Sequence, residues 1–134
     1  MHEGLKMPWK TTYGARGADV CFTDRSDGEE VYAANREVYL HAYEEGFQYA
    51  IVDFSRVEQL DLPLADLLRI ADHDRQYLLR NPPYLLAMIA PQAPVFGLAR
   101  TFERYMAGST LKSTVVETRD EAIAWLNNEM MVMA

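Results

Sequence analysis

Cysteine is nearly missing from this sequence: Cys21 stands alone. A single cysteine excludes an intramolecular disulfide and a thiolate metal cluster, so the chain must hold together through its apolar core. Within Val20-Cys21-Phe22 it reads as a small buried hydrophobe rather than a reactive thiol. Long apolar runs are missing too. None approaches the roughly 18 residues of a membrane span, and Met1 to Lys10 lack the apolar stretch of a signal peptide. The expectation is a cytoplasmic protein without stable membrane insertion. No nucleophile elbow, phosphate-binding loop, dinucleotide fingerprint or HExxH occurs. Basic clusters are absent as well. Residues 1–67 hold six Lys and Arg against thirteen Asp and Glu, whereas residues 68–134 hold seven of each. Phosphate backbones and anionic lipid surfaces repel such an acidic front half, which argues against nucleic-acid binding.

What is present suits an ordinary globular domain. The 134 residues are 49% hydrophobic and 25% charged, enough for one core without metals or disulfides, and no cofactor is expected. A single domain over 1–134 is expected, its core at about 10–127. Trp9–Tyr13 and Ala18–Thr23 read as strands joined by a turn at Gly14-Ala15-Arg16-Gly17. Ser26 with Glu29 reads as a capping box, opening a helix whose inner face is Val31, Ala34, Val38 and Ala42. Tyr49–Phe54 reads as a strand buried on both faces. Asp61, with Pro63 in the first turn, starts a second helix with Leu64, Leu67, Leu68, Ala71 and Leu78 inward, stopped by Asn81-Pro82-Pro83. Tyr84–Ala90 and Ser113–Glu117 are further strands. A helix over about Pro94–Ala107 lies between them, and a last helix opens on a Thr118/Glu121 capping box. The order is written ββαβαβα, an α/β domain with a mixed, mostly parallel sheet and helices packed on it.

Candidate chemistry is sparse. Glu37, His41 and Glu45 share a helical face at metal-ligand spacing, but with no fourth ligand they read as a solvated acidic face. Asp72-His73-Asp74 cannot all converge, because helical neighbours point about 100° apart; His73 reads as a surface histidine and His2 as part of a terminus. No metal site is assigned. The carboxyl edge of the sheet, where α/β proteins bind ligands, gathers Ser55, Gln92 and Thr118-Arg119. Helix starts at Asp61 and at Phe96-Gly97, extended by Arg100 and Arg104, suit a small anion. Leu62, Leu64, Phe96 and Leu98 are candidates for an apolar pocket. Met130-Met131-Val132-Met133 reads as packing of the last helix, with a homodimer contact second.

Three segments carry a resemblance. Val52-Asp53-Phe54-Ser55-Arg56-Val57 running to Leu60-Asp61-Leu62-Pro63, Pro91 through Phe96-Gly97-Leu98-Ala99-Arg100, and Asp120-Glu121-Ala122-Ile123-Ala124-Trp125-Leu126 resemble the SpoIIAA-like proteins. These are bacterial domains of the STAS superfamily whose fold is also compared to CRAL-TRIO domains. The resemblance, over about residues 10–127, implies a non-catalytic regulatory or protein-interaction module. The alternative it implies is a carrier or sensor of a small apolar or lipid-like ligand, with transient membrane association. Antagonists of this kind carry Asp-Ser-Ser-Gly at the helix start, with one serine phosphorylated. Here Asp61 is followed by Leu62-Pro63-Leu64, and Ser55 lies out of register. The expected surfaces are the acidic first helix (Glu29, Glu30, Glu37) and the Ser55–Leu64 loop.

Overall fold

The computed structural model describes residues 9–81 and 84–133. Its elements are β1 (Trp9–Tyr13), β2 (Gly17–Asp27), α1 (Gly28–Glu45), β3 (Tyr49–Asp61), α2 (Leu64–Leu78), β4 (Tyr84–Ile89), α3 (Ala93–Tyr105), β5 (Leu111–Val116) and α4 (Arg119–Met133). The string is ββαβαβαβα, one βα unit longer than the expected ββαβαβα. All the segments anticipated as strands or helices are present; the shorter string left out one crossover.

The five strands form one sheet in the order β1-β2-β3-β4-β5. β1 and β2 pair antiparallel as the expected hairpin, closed by the Gly14 N–H on the Gly17 carbonyl at 2.9 Å. The remaining pairs are parallel, because each crossover returns the chain through a helix. Alternation along the inner strands divides the core in two. Ala50, Phe54, Leu86, Met88 and Ala90 point into the larger cluster beneath α1, α2 and α3. Ile51, Leu85, Ala87 and Ile89 point the other way and meet Ala122 and Leu126 of α4. All six residues of β4 are buried, as a central strand covered by helices on both faces demands.

Three expectations change. First, β2 and β3 run on to Asp27 and Asp61, and their outer halves pair with each other through Thr23↔Arg56, Ser26↔Leu60 and Asp27↔Asp61. Register shifts flank Asp24, whose φ of 58° is left-handed; such bulges bend a strand pair. The segment from Ser55 to Asp61 is therefore strand, not loop. Second, Asp27 caps α1 rather than Ser26. Its Oδ1 accepts from the Glu30 N–H at 2.9 Å while Glu30 Oε1 accepts from the Asp27 N–H at 3.0 Å. Third, Asp61 does not cap α2. Pro63 holds the N-cap position without a side-chain bond, and the helix stops at Leu78; Pro82 and Pro83 lie outside the described residues, as does His2. The Thr118/Glu121 box stands as read, with reciprocal bonds at 3.1 and 3.2 Å.

Candidate functional site

The carboxyl edge brings Ser55, Gln92 and Arg119 together, although they occupy one another. Gln92, at the start of α3, donates to the carbonyls of Phe54, Ser55 and Val57 at 3.1, 3.3 and 2.8 Å. The Ser55 N–H donates to Asp53 Oδ1 at 2.8 Å. Arg119 bridges two carboxylates, donating to Asp53 at 2.8 Å and to Asp19 at 2.6 and 3.2 Å. Burial would raise the Asp53 carboxyl, but the bonds from Ser55 and Arg119 outweigh it and hold the group below its usual range. Cys21, half-buried and paired with Asp53 across the strands, has its thiol pushed up by burial and then by that carboxylate. A thiol so disfavoured as thiolate is a poor nucleophile.

The anion cradle expected nearby is not assembled. The Phe96 N–H is already spent on the Gln92 carbonyl at 2.9 Å, one turn into α3. Arg100 pairs with Glu103 at 3.2 Å, and Arg104 donates to the Thr101 hydroxyl. Gly97 is exposed on the outer side of α3, while Asp61 ends β3.

Apolar candidates fare differently. Between α2, α3 and the sheet lies an apolar cavity of about 60 Å³, open on one side and lined among others by Leu60, Leu62, Leu67, Leu98 and Phe102. Leu62 and Leu98 thus both line it. Phe96 packs against the same core without lining the cavity. Leu64 and Leu68 do not line it either. They stand on the first turns of α2, 55% and 42% exposed. A second apolar cavity of about 40 Å³ adjoins it, sharing Val31, Asn35, Val52 and Leu86.

The acidic face of α1 is exposed at Glu37 and Glu45, with His41 half-buried. Glu37 accepts from the hydroxyls of Tyr13 and Thr11 at 3.3 and 3.5 Å, and His41 stacks on Tyr13 at 4.2 Å. Burial, then Glu37, pushes the Tyr13 phenol up to about 12. His73 is not a plain surface histidine. It is half-buried against Tyr32 and Tyr39, and its Nδ1 lies 3.2 Å from Asp74. Asp74 is 1% exposed. Burial raises its carboxyl, opposed by His73 and the Asn35 amide. Sequence reasoning passed over Asp74, though Leu67, Ile70, Ala71 and Leu78 set a helical register that points it inward. At the far end, Met130 packs against the α4 cluster while Met131 and Val132 are exposed.

The geometry defines a class: a five-stranded α/β layer with three helices on one face and one on the other, the SpoIIAA-like (STAS-like) fold. Two solved structures show the likeness. The anti-sigma factor antagonist SpoIIAA in its unphosphorylated form superposes with a TM-score of 0.60 at 10% identity, over 90% of this chain and 96% of that one. A protein of the DUF3478 family with a SpoIIAA-like fold, from Shewanella loihica PV-4, gives 0.54 at 16% identity, over 88% and 91%. No protein-family profile and no curated protein matches the sequence.

Proposed function

We propose that this chain is a non-catalytic, STAS-like regulatory module that binds another protein through the mouth between α2 and α3. One observation carries the reading: Leu64 and Leu68 stand exposed on α2, the helix whose Leu67 lines an apolar cavity together with Leu62 and Leu98. Exposed apolar clusters of this kind mark contact surfaces. A cavity of about 60 Å³ accepts one aliphatic side chain, whereas sites for free ligands run to roughly 300–1,000 Å³. That contrast favours docking over the carriage of a lipid-like molecule. The polar edge residues fit the same reading, since Asp53, Ser55, Gln92 and Arg119 bond one another and leave no poised nucleophile or base.

SpoIIAA is an anti-sigma factor antagonist, and a regulatory interaction is the role carried over. Its switch is not. At the start of α2 this chain has Leu62-Pro63-Leu64, and Ser55 lies within β3. Interaction here is therefore independent of a phosphoserine at that helix. Native mass spectrometry of the purified protein separates the two readings: an unliganded mass is expected, and a bound small molecule retained at stoichiometric amount would favour the carrier.

A further inference from the structure

α4 packs chiefly on β4 and β5, and one of its flanks overhangs the sheet toward β3 and the β1–β2 turn. A groove of about 340 Å³ lies there. β3 contributes Tyr49 and Ile51 to its lining, α4 contributes Leu126, Asn127 and Met130, and the turn contributes Arg16. Ile51 and Leu126 belong to the apolar cluster on this face of the sheet, with Tyr49 and Met130 packed against it. Gly17 makes room for the Tyr49 ring. A β-carbon there would lie 2.5 Å from that ring, so the ring rests on the backbone of its cross-strand partner. Arg16 is held twice by Gln48: the Gln48 N–H donates to its carbonyl at 2.7 Å, and Arg16 Nε donates to Gln48 Oε1 at 2.9 Å. Among the described residues no carboxylate pairs with Arg16, and its two terminal nitrogens make no hydrogen bond.

The lining thus joins an apolar surface to one anchored cation, and no acid is part of it. We propose that this groove binds a small organic acid, its carboxylate on Arg16 and its apolar body along Tyr49, Ile51, Leu126 and Met130. The planar guanidinium presents paired N–H donors that match the two oxygens of a carboxylate. One arginine balances one negative charge, which suits a monocarboxylate better than a phosphate ester carrying close to two. The volume falls in the range of roughly 300–1,000 Å³ over which proteins hold free ligands. Being open to solvent, the groove exchanges its ligand instead of retaining it through purification. The inference goes beyond the interaction-module reading and does not rest on it. The groove lies on the opposite face of the sheet from the mouth between α2 and α3.

The test is an NMR titration of the full chain at neutral pH with sodium octanoate and, in parallel, with 1-octanol. Saturable shifts of the Tyr49 ring and Met130 methyl signals are expected with octanoate. Binding should be about five-fold or more weaker for 1-octanol, and for octanoate in Arg16→Gln. Arg16 is exposed, so the fold survives that change, and circular dichroism confirms it. Tyr49 and Met130 signals that stay still, equal affinity for 1-octanol, or unchanged octanoate affinity in Arg16→Gln would overturn the proposal. Shifts confined to Leu62 and Leu98 would overturn it as well, by placing the acid in the cavity on the other face.

Discussion

Arg119, the first residue of α4, donates to Asp53 in the middle of β3 at 2.8 Å, and so fastens the helix on one face of the sheet to a carboxylate that is 6% exposed. Removing the guanidinium strands that carboxylate in a buried site. Arg119→Ala is expected to lose roughly 1–3 kcal/mol, discounted from a fully buried pair because Arg119 itself is 41% exposed. Arg119→Lys should recover only part of this, since one ammonium cannot match the two-pronged bond to Asp19 as well. Urea denaturation of the three proteins measures it.

The same carboxylate sets a pH dependence. Asp53 is held below its unfolded value in the native state, so the unfolded chain binds the proton more readily as acid is added. Its contribution is fully present above about pH 5 and is lost as the pH falls below about 4. Stability measured from pH 6 to pH 3 should fall more steeply in the natural protein than in Asp53→Asn.

Asp74 has the opposite sign. Burial raises its carboxyl, so the native state binds that proton more tightly than the unfolded chain does. Stability from this group therefore decreases as pH rises from the unfolded value through the raised one, and stays low above it. Asp74→Asn should be at least as stable as the natural protein at pH 7.5, with its relative advantage shrinking toward pH 4. Denaturation midpoints at both pH values decide this; a variant much weaker at pH 7.5 would show that the charged carboxylate stabilises the fold.

The two candidate caps of α1 separate cleanly. Asp27→Ala removes the side-chain bond from the Glu30 N–H while leaving the backbone N–H of residue 27 to Glu30, and should cost about 1 kcal/mol. Ser26→Ala removes a buried hydroxyl that has no hydrogen-bond partner, and should fall within about 0.5 kcal/mol of the natural protein or exceed it. Thermal melts of both variants check the pair.

Gly28 gives a steric prediction. A β-carbon there would lie 2.0 Å from Asp66 Oδ2 and 2.7 Å from Asp66 Cβ, so the starts of α1 and α2 touch through a missing side chain. Gly28→Ala must push the helices apart, at roughly 1–3 kcal/mol by the measure of overpacked cores. A chevron or equilibrium unfolding curve gives the value directly.

Much of this fold was legible because burial writes a period into the chain. The apolar runs at Tyr49–Phe54 and Tyr84–Ala90 mark strands covered on both sides, and Val95, Ala99, Phe102 and Met106 mark one face of α3. The outer halves of β2 and β3 were not legible. Thr23–Asp27 and Ser55–Asp61 are largely polar, and their strand character comes from pairing with each other across the chain, a tertiary effect that local propensity does not carry. The same holds for the site. Leu62 and Leu98 announced an apolar pocket by type, but Arg119 finds Asp19 and Asp53 at separations of 100 and 66 residues, which no local pattern encodes. Asp53 did leave a trace, as an acid inside an otherwise apolar strand. Asp74 left one as an acid on the buried register of a helix.

The central claim is that the mouth between α2 and α3 docks a protein, and Leu64 and Leu68 are where it is most exposed to test. The decisive measurement is the affinity of a partner, isolated on the natural protein, for Leu64→Glu/Leu68→Glu, with circular dichroism confirming the fold. Binding should weaken by about 30-fold or more, as expected for loss of a central apolar anchor. Equal affinity for the natural and doubly substituted proteins would contradict the account.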